Sequence, residues 1–426
     1  MSHIHPVEKR KFFVCSLILI LAFLFIFLSP SILSVSALGT SSAQHTLSPL
    51  KGGYPKTLTS PNAQYEGWFG TAVAISGKLA VVGAYDETAD GYSEAGHAYV
   101  YNANTGQLIE NLTSPNAQEG GAFGCSVAIS GKLAIVGAFG ETAKGISGAG
   151  HAYVYNTNTW KLIQTLTSPN AQDAGFFGYS VGISGKLAVV GALFETAGYY
   201  NDAGHAYVYN ADTGELIQTL TSPNAQDYGE FGQSVAISGK LAIVGAYLET
   251  ANGYSNAGHA YVYNANSGQL IENLTSPNAQ EGGWFGESVG ISGKLAIVGA
   301  LGETAYGHSD AGHAYVYNAN TGELIENLTS PRPQTVGFFG GSVAISGKLA
   351  VVGAPYERAD GYGSAGHAYV YNAITGKLIQ TLTSPNAQYE GWFGTAVAIS
   401  GKLAILGAIG EIAGFYQAGH AYLFKE

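Results

Sequence analysis

The dipeptide Phe-Gly recurs at a constant interval of 54 residues along this chain of 426 residues. It begins at Phe69, Phe123, Phe177, Phe231, Phe285, Phe339 and Phe393. A period near 50 residues, built from short apolar runs and Gly-rich turns, is typical of all-β arrays in which each unit is one supersecondary element. Seven consecutive units therefore predict one repeat architecture over residues 56–426 rather than several independent domains.

Each unit contains four strand-like runs of increasing side-chain size. In the unit that begins at Phe69, residues 71–75 are small, residues 79–82 are apolar, residues 97–101 are alternating and aromatic, and residues 107–113 are more polar. Small side chains suit a crowded strand beside a central axis, and larger ones suit the wider outer part of a blade. The sequence therefore predicts an all-β fold, a seven-bladed β-propeller of four-stranded antiparallel blades.

The two ends of the repeat region predict how such a ring closes. The last unit stops after its third strand, His420 to Phe424, whereas residues 55–60 have the sequence of a fourth strand. We expect the N-terminal strand to complete the last blade, which removes the open sheet edges that favour aggregation. An open solenoid is the alternative, but it needs capping units, and none is visible in the sequence.

The N-terminus differs from the repeats. Lys9, Arg10 and Lys11 precede an apolar run over residues 12–28, followed by small residues that fit a cleavage site. This pattern predicts a signal peptide or an uncleaved signal anchor over residues 1–37, with residues 38–55 as a linker. Either outcome places the repeats outside the cell, so we expect a secreted or extracellular cell-surface protein that contacts the membrane only through an uncleaved anchor.

The charge and the cysteines narrow the classes of partner and of stabilisation. Without residues 1–37 the chain keeps 15 basic and 28 acidic side chains, a formal net charge of −13. This acidic balance argues against nucleic acid as a partner. Cys125 is then the single cysteine, so we expect the ring to be held by packing and strand pairing without an internal disulfide.

The repeat unit resembles the FG-GAP repeat, the blade of the integrin alpha-subunit propeller and of many microbial surface proteins. The Phe-Gly at Phe339-Gly340 is followed by Gly353-Ala354-Pro355 and then by the Tyr-Val-Tyr strand, and the other units keep most of this pattern over residues 56–426. The resemblance implies an extracellular binding propeller. Integrin-type repeats commonly carry an Asp-x-Asp-x-Asp-Gly calcium loop between the first two strands, whereas every copy here has Ser-Gly-Lys, as at Ser130-Gly131-Lys132. We therefore expect no cofactor, and calcium is left open only for other loops.

Two residue types recur in all seven units and invite a metal or acid-base interpretation: a glutamate, as at Glu87, and a histidine, as at His97. With strands about 4.8 Å apart, equivalent histidines of neighbouring blades are about 13 Å or more from each other, too far to share a zinc ion. We therefore expect each Glu and His to act inside its own blade, by hydrogen-bonding the loop between strands two and three. We predict no catalytic residue and no metal ligand.

The variable positions fall in two loops, one between strands two and three and one between strand four and the next strand one. Alternating strand directions bring both loops to one side of the ring, which we call the loop face. Two aromatic positions stand out there as ligand-binding candidates: first Trp68, Trp284 and Trp392; second Tyr92, Tyr200, Tyr254, His308 and Tyr362. Exposed Tyr and Trp provide contact area at low entropic cost and stack on sugars. For the tryptophans, packing between blades is the alternative.

Unrepeated polar residues complete the candidates: Arg332, Arg358, His308 and Glu230. No pair of them has the spacing of a known acid and base, so we predict a protein that is not an enzyme. The sequence favours an exported surface binding or adhesion module that recognises an extracellular protein or glycan. The alternatives are an extracellular polysaccharide hydrolase or lyase, and a purely structural surface-layer or matrix component.

Overall fold

The computed structural model describes residues 53–425, which contain the whole repeat region. The chain divides into a unit of residues 1–54 and a compact unit of residues 55–426. The predicted signal segment, and the predicted linker up to residue 52, lie outside the described residues. Within residues 53–425 all regular elements are strands, and no helix suited to crossing a membrane is present among them.

Twenty-eight strands form seven four-stranded antiparallel sheets, the blades, which confirms the predicted fold class. Blades 1 to 6 each take four consecutive strands, beginning with β2, and blade 7 contains β26, β27, β28 and β1. The strands are β1 (Lys56–Leu58), β2 (Val73–Ser76), β3 (Leu79–Ala84), β4 (His97–Asn102), β5 (Leu108–Thr113), β6 (Phe123–Ser130), β7 (Leu133–Ala138), β8 (His151–Asn156), β9 (Leu162–Leu166), β10 (Ser180–Ser184), β11 (Leu187–Ala192), β12 (His205–Asn210), β13 (Leu216–Leu220), β14 (Val235–Ser238), β15 (Leu241–Ala246), β16 (His259–Asn264), β17 (Leu270–Leu274), β18 (Phe285–Ser292), β19 (Leu295–Ala300), β20 (His313–Asn318), β21 (Leu324–Leu328), β22 (Ser342–Ser346), β23 (Leu349–Ala354), β24 (His367–Asn372), β25 (Leu378–Leu382), β26 (Phe393–Ser400), β27 (Leu403–Ala408) and β28 (His420–Lys425).

The ring is closed by the first strand, as the sequence predicts. In blade 7, β1 pairs with β28 in antiparallel register, with Thr57 opposite Tyr422. The innermost strands contact one another around the whole ring, and β2 contacts both β6 and β26. At the Ser-Gly-Lys turns, the serine Oγ of one blade accepts a hydrogen bond from the glycine N–H of the next; Ser400 and Gly77, 3.4 Å apart, close this circle.

The core lies between neighbouring blades rather than inside one sheet. Between blades 1 and 2, Val100 and Phe123 are buried in the same apolar cluster as Tyr153. The Phe123 ring lies 5.8 Å from the Tyr153 ring of its own blade, and the equivalent contact recurs in the other blades. Because each sheet is covered on both faces by its neighbours, the second and third strands are almost continuously buried, whereas the outer fourth strands are more polar and partly exposed.

The glycine of the Phe-Gly dipeptide is explained by the close approach of two blades. Gly124 has a φ of +92°, and a Cβ there would lie 2.1 Å from the His97 carbonyl oxygen of blade 1. Gly83 in the adjacent strand is equally restricted, since its Cβ would lie 1.9 Å from the Gly124 carbonyl oxygen. The repeated dipeptide therefore marks the backbone junction between blades.

Candidate functional site

The loop face is held together by backbone hydrogen bonds between its two kinds of loop. The N–H of Ala122, in the linker that enters blade 2, donates to the Glu94 carbonyl in the loop between strands two and three of blade 1, at 2.9 Å. Phe123 donates in the same way to Ala95. The same pattern joins the other blades, so both variable loops lie on one face, as predicted, and form one hydrogen-bonded surface.

Six of the seven loops between strands two and three contain a short hairpin that presents the second aromatic position. In blade 1, Ala89 and Tyr92 pair across a turn in which Asp90 and Gly91 have positive φ angles of 52° and 87°. These angles match a type I′ turn, which Asp-Gly favours. The four tyrosines at this position are between 45% and 49% exposed: Tyr92, Tyr200, Tyr254 and Tyr362. His308, at the same position in blade 5, is also exposed.

The tryptophans of the first aromatic position pack against the neighbouring loops to different extents. Trp68 and Trp284 are half-buried, and the Trp68 ring meets the edge of Tyr85 at 5.7 Å. Trp392 is only 5% exposed and lies against Tyr356, with ring centroids 6.1 Å apart. This placement favours the packing alternative for Trp392 and leaves Trp68 and Trp284 with some surface for contact.

The two candidate arginines are exposed on the loop face. The Arg358 guanidinium donates to the Gly361 carbonyl of its own loop through Nε and Nη2, at 3.3 and 3.0 Å. Arg332 donates its backbone N–H to Ser330 Oγ at 3.1 Å. Within residues 53–425, no hydrogen bond or ion pair joins Arg332, Arg358 and His308 to one another.

The repeated glutamate and histidine form a buried cluster beneath the loop face. In blade 1, Glu87 is fully buried, Tyr99 donates its hydroxyl proton to Glu87 Oε2 at 2.5 Å, and His97 Nδ1 lies 3.1 Å from the same oxygen. The Glu87 carbonyl also accepts the Gly96 N–H at 2.8 Å, which closes the loop. The Glu, His and Tyr therefore act within one blade, in the scaffold role that the sevenfold repetition predicts.

A serine of the preceding blade extends this cluster across the blade boundary. Ser114 Oγ, at the end of the fourth strand of blade 1, donates to Glu141 Oε1 in blade 2, and Ser168 bonds Glu195 in the same way. A buried carboxylate is tolerated only when such donors replace its hydration. Burial and the nearby Glu141 charge raise the pKa of Tyr153 well above its ordinary value, so the tyrosine remains a donor. This serine contact was not predicted, because it joins two different units of the repeat.

One part of the loop face carries an acidic cluster that the other described blades do not repeat. Glu230 lies at the tryptophan position beside Tyr247, and Glu287 lies beside Gln233; each polar neighbour partly offsets the rise in the pKa of its carboxyl group. Burial raises the pKa of Glu230 to about 8, and the charges of Glu287 and Asp202 add to the shift. Burial also raises the pKa of Glu287 to about 7. Elsewhere on this face, aromatic rings make the contacts between neighbouring loops, as Phe139 does with Phe176 at 4.8 Å.

Glu287, Gln233 and Tyr247 were not among the candidates, although Glu230 was. The sequence held a usable signal, because the residue directly after each Phe-Gly varies: Thr71, Cys125, Tyr179, Gln233, Glu287, Gly341 and Thr395. Gln233 and Glu287 are polar residues at this position in adjacent units, and they mark the part of the loop face where the blades differ. Among residues 53–425, no group of three or more His, Cys, Asp or Glu side chains is arranged to hold a metal ion.

Comparison with known families agrees with the geometry. The FG-GAP repeat model matches seven consecutive segments of the chain: residues 56–101, 108–155, 160–209, 215–263, 270–317, 327–371 and 377–424. A search of curated proteins found no match. Each matched segment runs from the fourth strand of one blade to the third strand of the next, and together the segments cover most of the chain, so this protein belongs to the FG-GAP repeat family.

Proposed function

We propose that this protein is an exported binding or adhesion module that recognises an extracellular protein or glycan through its loop face. The main support for this proposal is that two sets of repeated residues differ in solvent exposure. The glutamates of the buried clusters are inaccessible in every blade, whereas the tyrosines of the loop hairpins are about half exposed on rigid turns. Aromatic side chains held in this way provide contact area at little entropic cost.

Further exposed tyrosines strengthen the proposal. Tyr65, Tyr228 and Tyr389 lie in the linkers that enter blades 1, 4 and 7, and each is more than 60% exposed. Tyr199 and Tyr306 lie in the loops of blades 3 and 5 and are exposed even more. Exposed aromatic side chains in such numbers are typical of a binding surface. Export is supported by the N-terminal sequence, and the acidic net charge argues against nucleic acid as the partner.

An array of extracellular glycans and surface proteins tests the proposal. Replacement of Tyr92, Tyr254 and Tyr362 by alanine is expected to abolish the binding that the unmodified protein shows, in the presence or absence of calcium. The matched control replaces Lys78, Lys240 and Lys348, which are exposed at the turns of the opposite face in the same three blades. If the tyrosine variant binds the array as strongly as the lysine variant does, these loop tyrosines are not part of the interface.

The enzymatic alternative has one observation in its favour. Burial raises the pKa of Glu230 to about 8 and that of Glu287 to about 7, in the range suited to a general acid at neutral pH. We nevertheless propose that the protein does not catalyse a reaction, because no pair among the unrepeated polar residues Glu230, His308, Arg332 and Arg358 has the spacing of a known acid and base. Turnover of any polysaccharide by the purified protein, lost in Glu230→Gln or in an Arg358 variant, would overturn this proposal. Self-assembly of the purified protein without any array binding would instead favour a structural surface-layer role.

A further inference from the structure

A cavity of about 560 Å³ opens on the loop face of blade 3. Pro169, Asn170 and Gln172 of the linker into blade 3 form one wall, and Thr196 and Gly198 of the loop between strands two and three form another. His205, Tyr207 and Thr219 of β12 and β13 also line it. The volume lies within the range of small-molecule binding sites.

Gly198 lines the cavity without a side chain of its own. The same loop position holds larger residues in five other blades: Asp90, Lys144, Asn252, Tyr306 and Asp360. In blade 2, Lys144 Nζ donates to the Ser168 carbonyl at 2.7 Å, and in blade 5 the Tyr306 hydroxyl accepts from Thr329 Oγ1 at 3.5 Å. These side chains reach the end of the fourth strand of their own blade. A Cβ at Gly198, by contrast, would meet no heavy atom within 4 Å.

The amide groups of the linker are also arranged differently in blade 3. In three other blades the linker asparagine donates to the carbonyl of the loop threonine, as Asn116 does to Thr142 at 3.5 Å. Asn170 instead directs Nδ2 to Glu195 Oε2, 3.5 Å away. Gln172 makes two hydrogen bonds to the Thr196 backbone: its Oε1 accepts the Thr196 N–H at 2.9 Å, and its Nε2 donates to the Thr196 carbonyl at 3.3 Å. The cavity therefore has an ordered polar wall.

The lining indicates the chemistry of a ligand. Among the described residues, no Lys, Arg, Asp or Glu side chain lines the cavity; the polar groups are hydroxyls, amides and an imidazole. The nearby Glu195 carboxylate is already engaged by Tyr207, Ser168 and His205. Directly after Gly198 in the chain, Tyr199 is 98% exposed. Tyr199 does not line the cavity, but it follows a residue that does. Hydroxyl and amide groups with an exposed aromatic residue next in the chain suit an uncharged, hydroxyl-rich molecule with apolar ring faces.

We propose that this cavity binds one or two sugar rings of a neutral glycan, with Tyr199 stacking on a sugar face. The inference rests on the proposed function of the loop face and names a ligand class and one blade for it. The Oδ1 of Asn170 and the hydroxyls of Thr196 and Thr219 would hydrogen-bond the sugar hydroxyls, Gln172 would hold Thr196 in place, and His205 would contribute at the edge of the site.

The test measures binding of glucose, galactose, mannose and N-acetylglucosamine, and of their disaccharides, to the exported protein by titration calorimetry and saturation-transfer NMR. At least one of these sugars is expected to bind. Gly198→Lys is expected to abolish binding, because the long side chain would extend from a residue that lines the cavity. The lysine should be accommodated, since Lys144 stands at the same loop position in blade 2 with a φ of 53°, close to the 63° of Gly198. Tyr199→Ala is expected to weaken binding about tenfold.

Asn252→Lys is the matched control, because it introduces the same side chain at the equivalent position of blade 4, and it is expected to leave sugar binding unchanged. Absence of binding by every sugar at millimolar concentration, or binding that survives Gly198→Lys, would overturn the inference. If array binding persists and still depends on Tyr92, Tyr254 and Tyr362 in that case, the proposed function stands without this cavity. A third outcome separates the two proposals in the other direction. If Gly198→Lys abolishes sugar binding while array binding does not depend on Tyr92, Tyr254 and Tyr362, the cavity is supported and the proposed role of the loop tyrosines is removed.

Discussion

At the residue scale, the second tyrosine of the Tyr-Val-Tyr strand is hydrogen-bonded in some blades but not in all of them, so its hydroxyl group can be compared between blades. The Tyr209 hydroxyl donates to the Thr167 carbonyl of the preceding blade at 2.8 Å, whereas the buried Tyr155 hydroxyl has no partner among the described residues. Blade 7 carries Phe424 at this position. We expect Tyr209→Phe to lower the free energy of unfolding by about 1 kcal/mol, because a buried hydrogen bond is lost. Tyr155→Phe is the control, expected to be neutral or slightly stabilising, and urea unfolding measures both. A larger loss in Tyr155→Phe than in Tyr209→Phe would contradict this account.

The raised pKa values of Glu230 and Glu287 predict a pH dependence of stability at the same scale. The folded protein holds their protons up to about pH 8 and 7, respectively, whereas the unfolded chain releases them near the ordinary value of 4.5. The folded state therefore binds more protons between these limits, and the free energy of unfolding falls as the pH rises from about 4.5 to 8. The stabilisation is fully present below pH 4.5 and is lost as the pH passes through the folded pKa values.

Replacement of both glutamates by glutamine is expected to flatten this dependence, because a neutral amide resembles the protonated carboxyl group. The double variant should be more stable than the unmodified protein at pH 8 and about equally stable near pH 4.5. Urea unfolding at several pH values measures the difference, and the exposed Glu215→Gln serves as the control for an ordinary surface charge. A double variant with the unmodified slope would show that the two carboxyl groups are not shifted.

At the scale of elements, strands and loops differ in how far the sequence predicted them. The Tyr-Val-Tyr and Gly-Ala strands begin at the same residue of every unit, because continuous apolar runs between Gly-rich turns leave little choice of register. The first strand varies: β2 begins at Val73, whereas β6 begins earlier in its unit, at Phe123. The loop hairpins were not predicted, although Asp90-Gly91 is a favourable turn sequence. Their positions depend on backbone bonds to the next blade, which no local pattern contains.

At the scale of the whole molecule, one short strand decides whether the ring is closed. β1 contains only Lys56–Leu58, yet it supplies the fourth strand of blade 7 through its pairing with β28. We expect a chain that begins at Ser60 to lose cooperative unfolding and to aggregate, because the outer edge of β28 becomes free to pair with other molecules. A chain that begins at Pro55 keeps β1 and is the control. Light scattering and thermal unfolding compare the two, and equal stability would show that β1 is dispensable.

The sequence alone predicted the fold, because seven equal units with small inner and large outer strands, and a fourth strand placed ahead of the first unit, favour a closed ring over an open solenoid. The same repetition identified Glu87 and His97 and their equivalents as scaffold, since a binding site has no need of sevenfold symmetry. The tertiary structure decided what lies between units: the serines that cross to buried glutamates, the approach of Tyr247 to Glu230, the burial of Trp392, and the cavity beside Gly198. These features depend on contacts between residues far apart in the chain, and the 54-residue period describes only what each unit shares with the others.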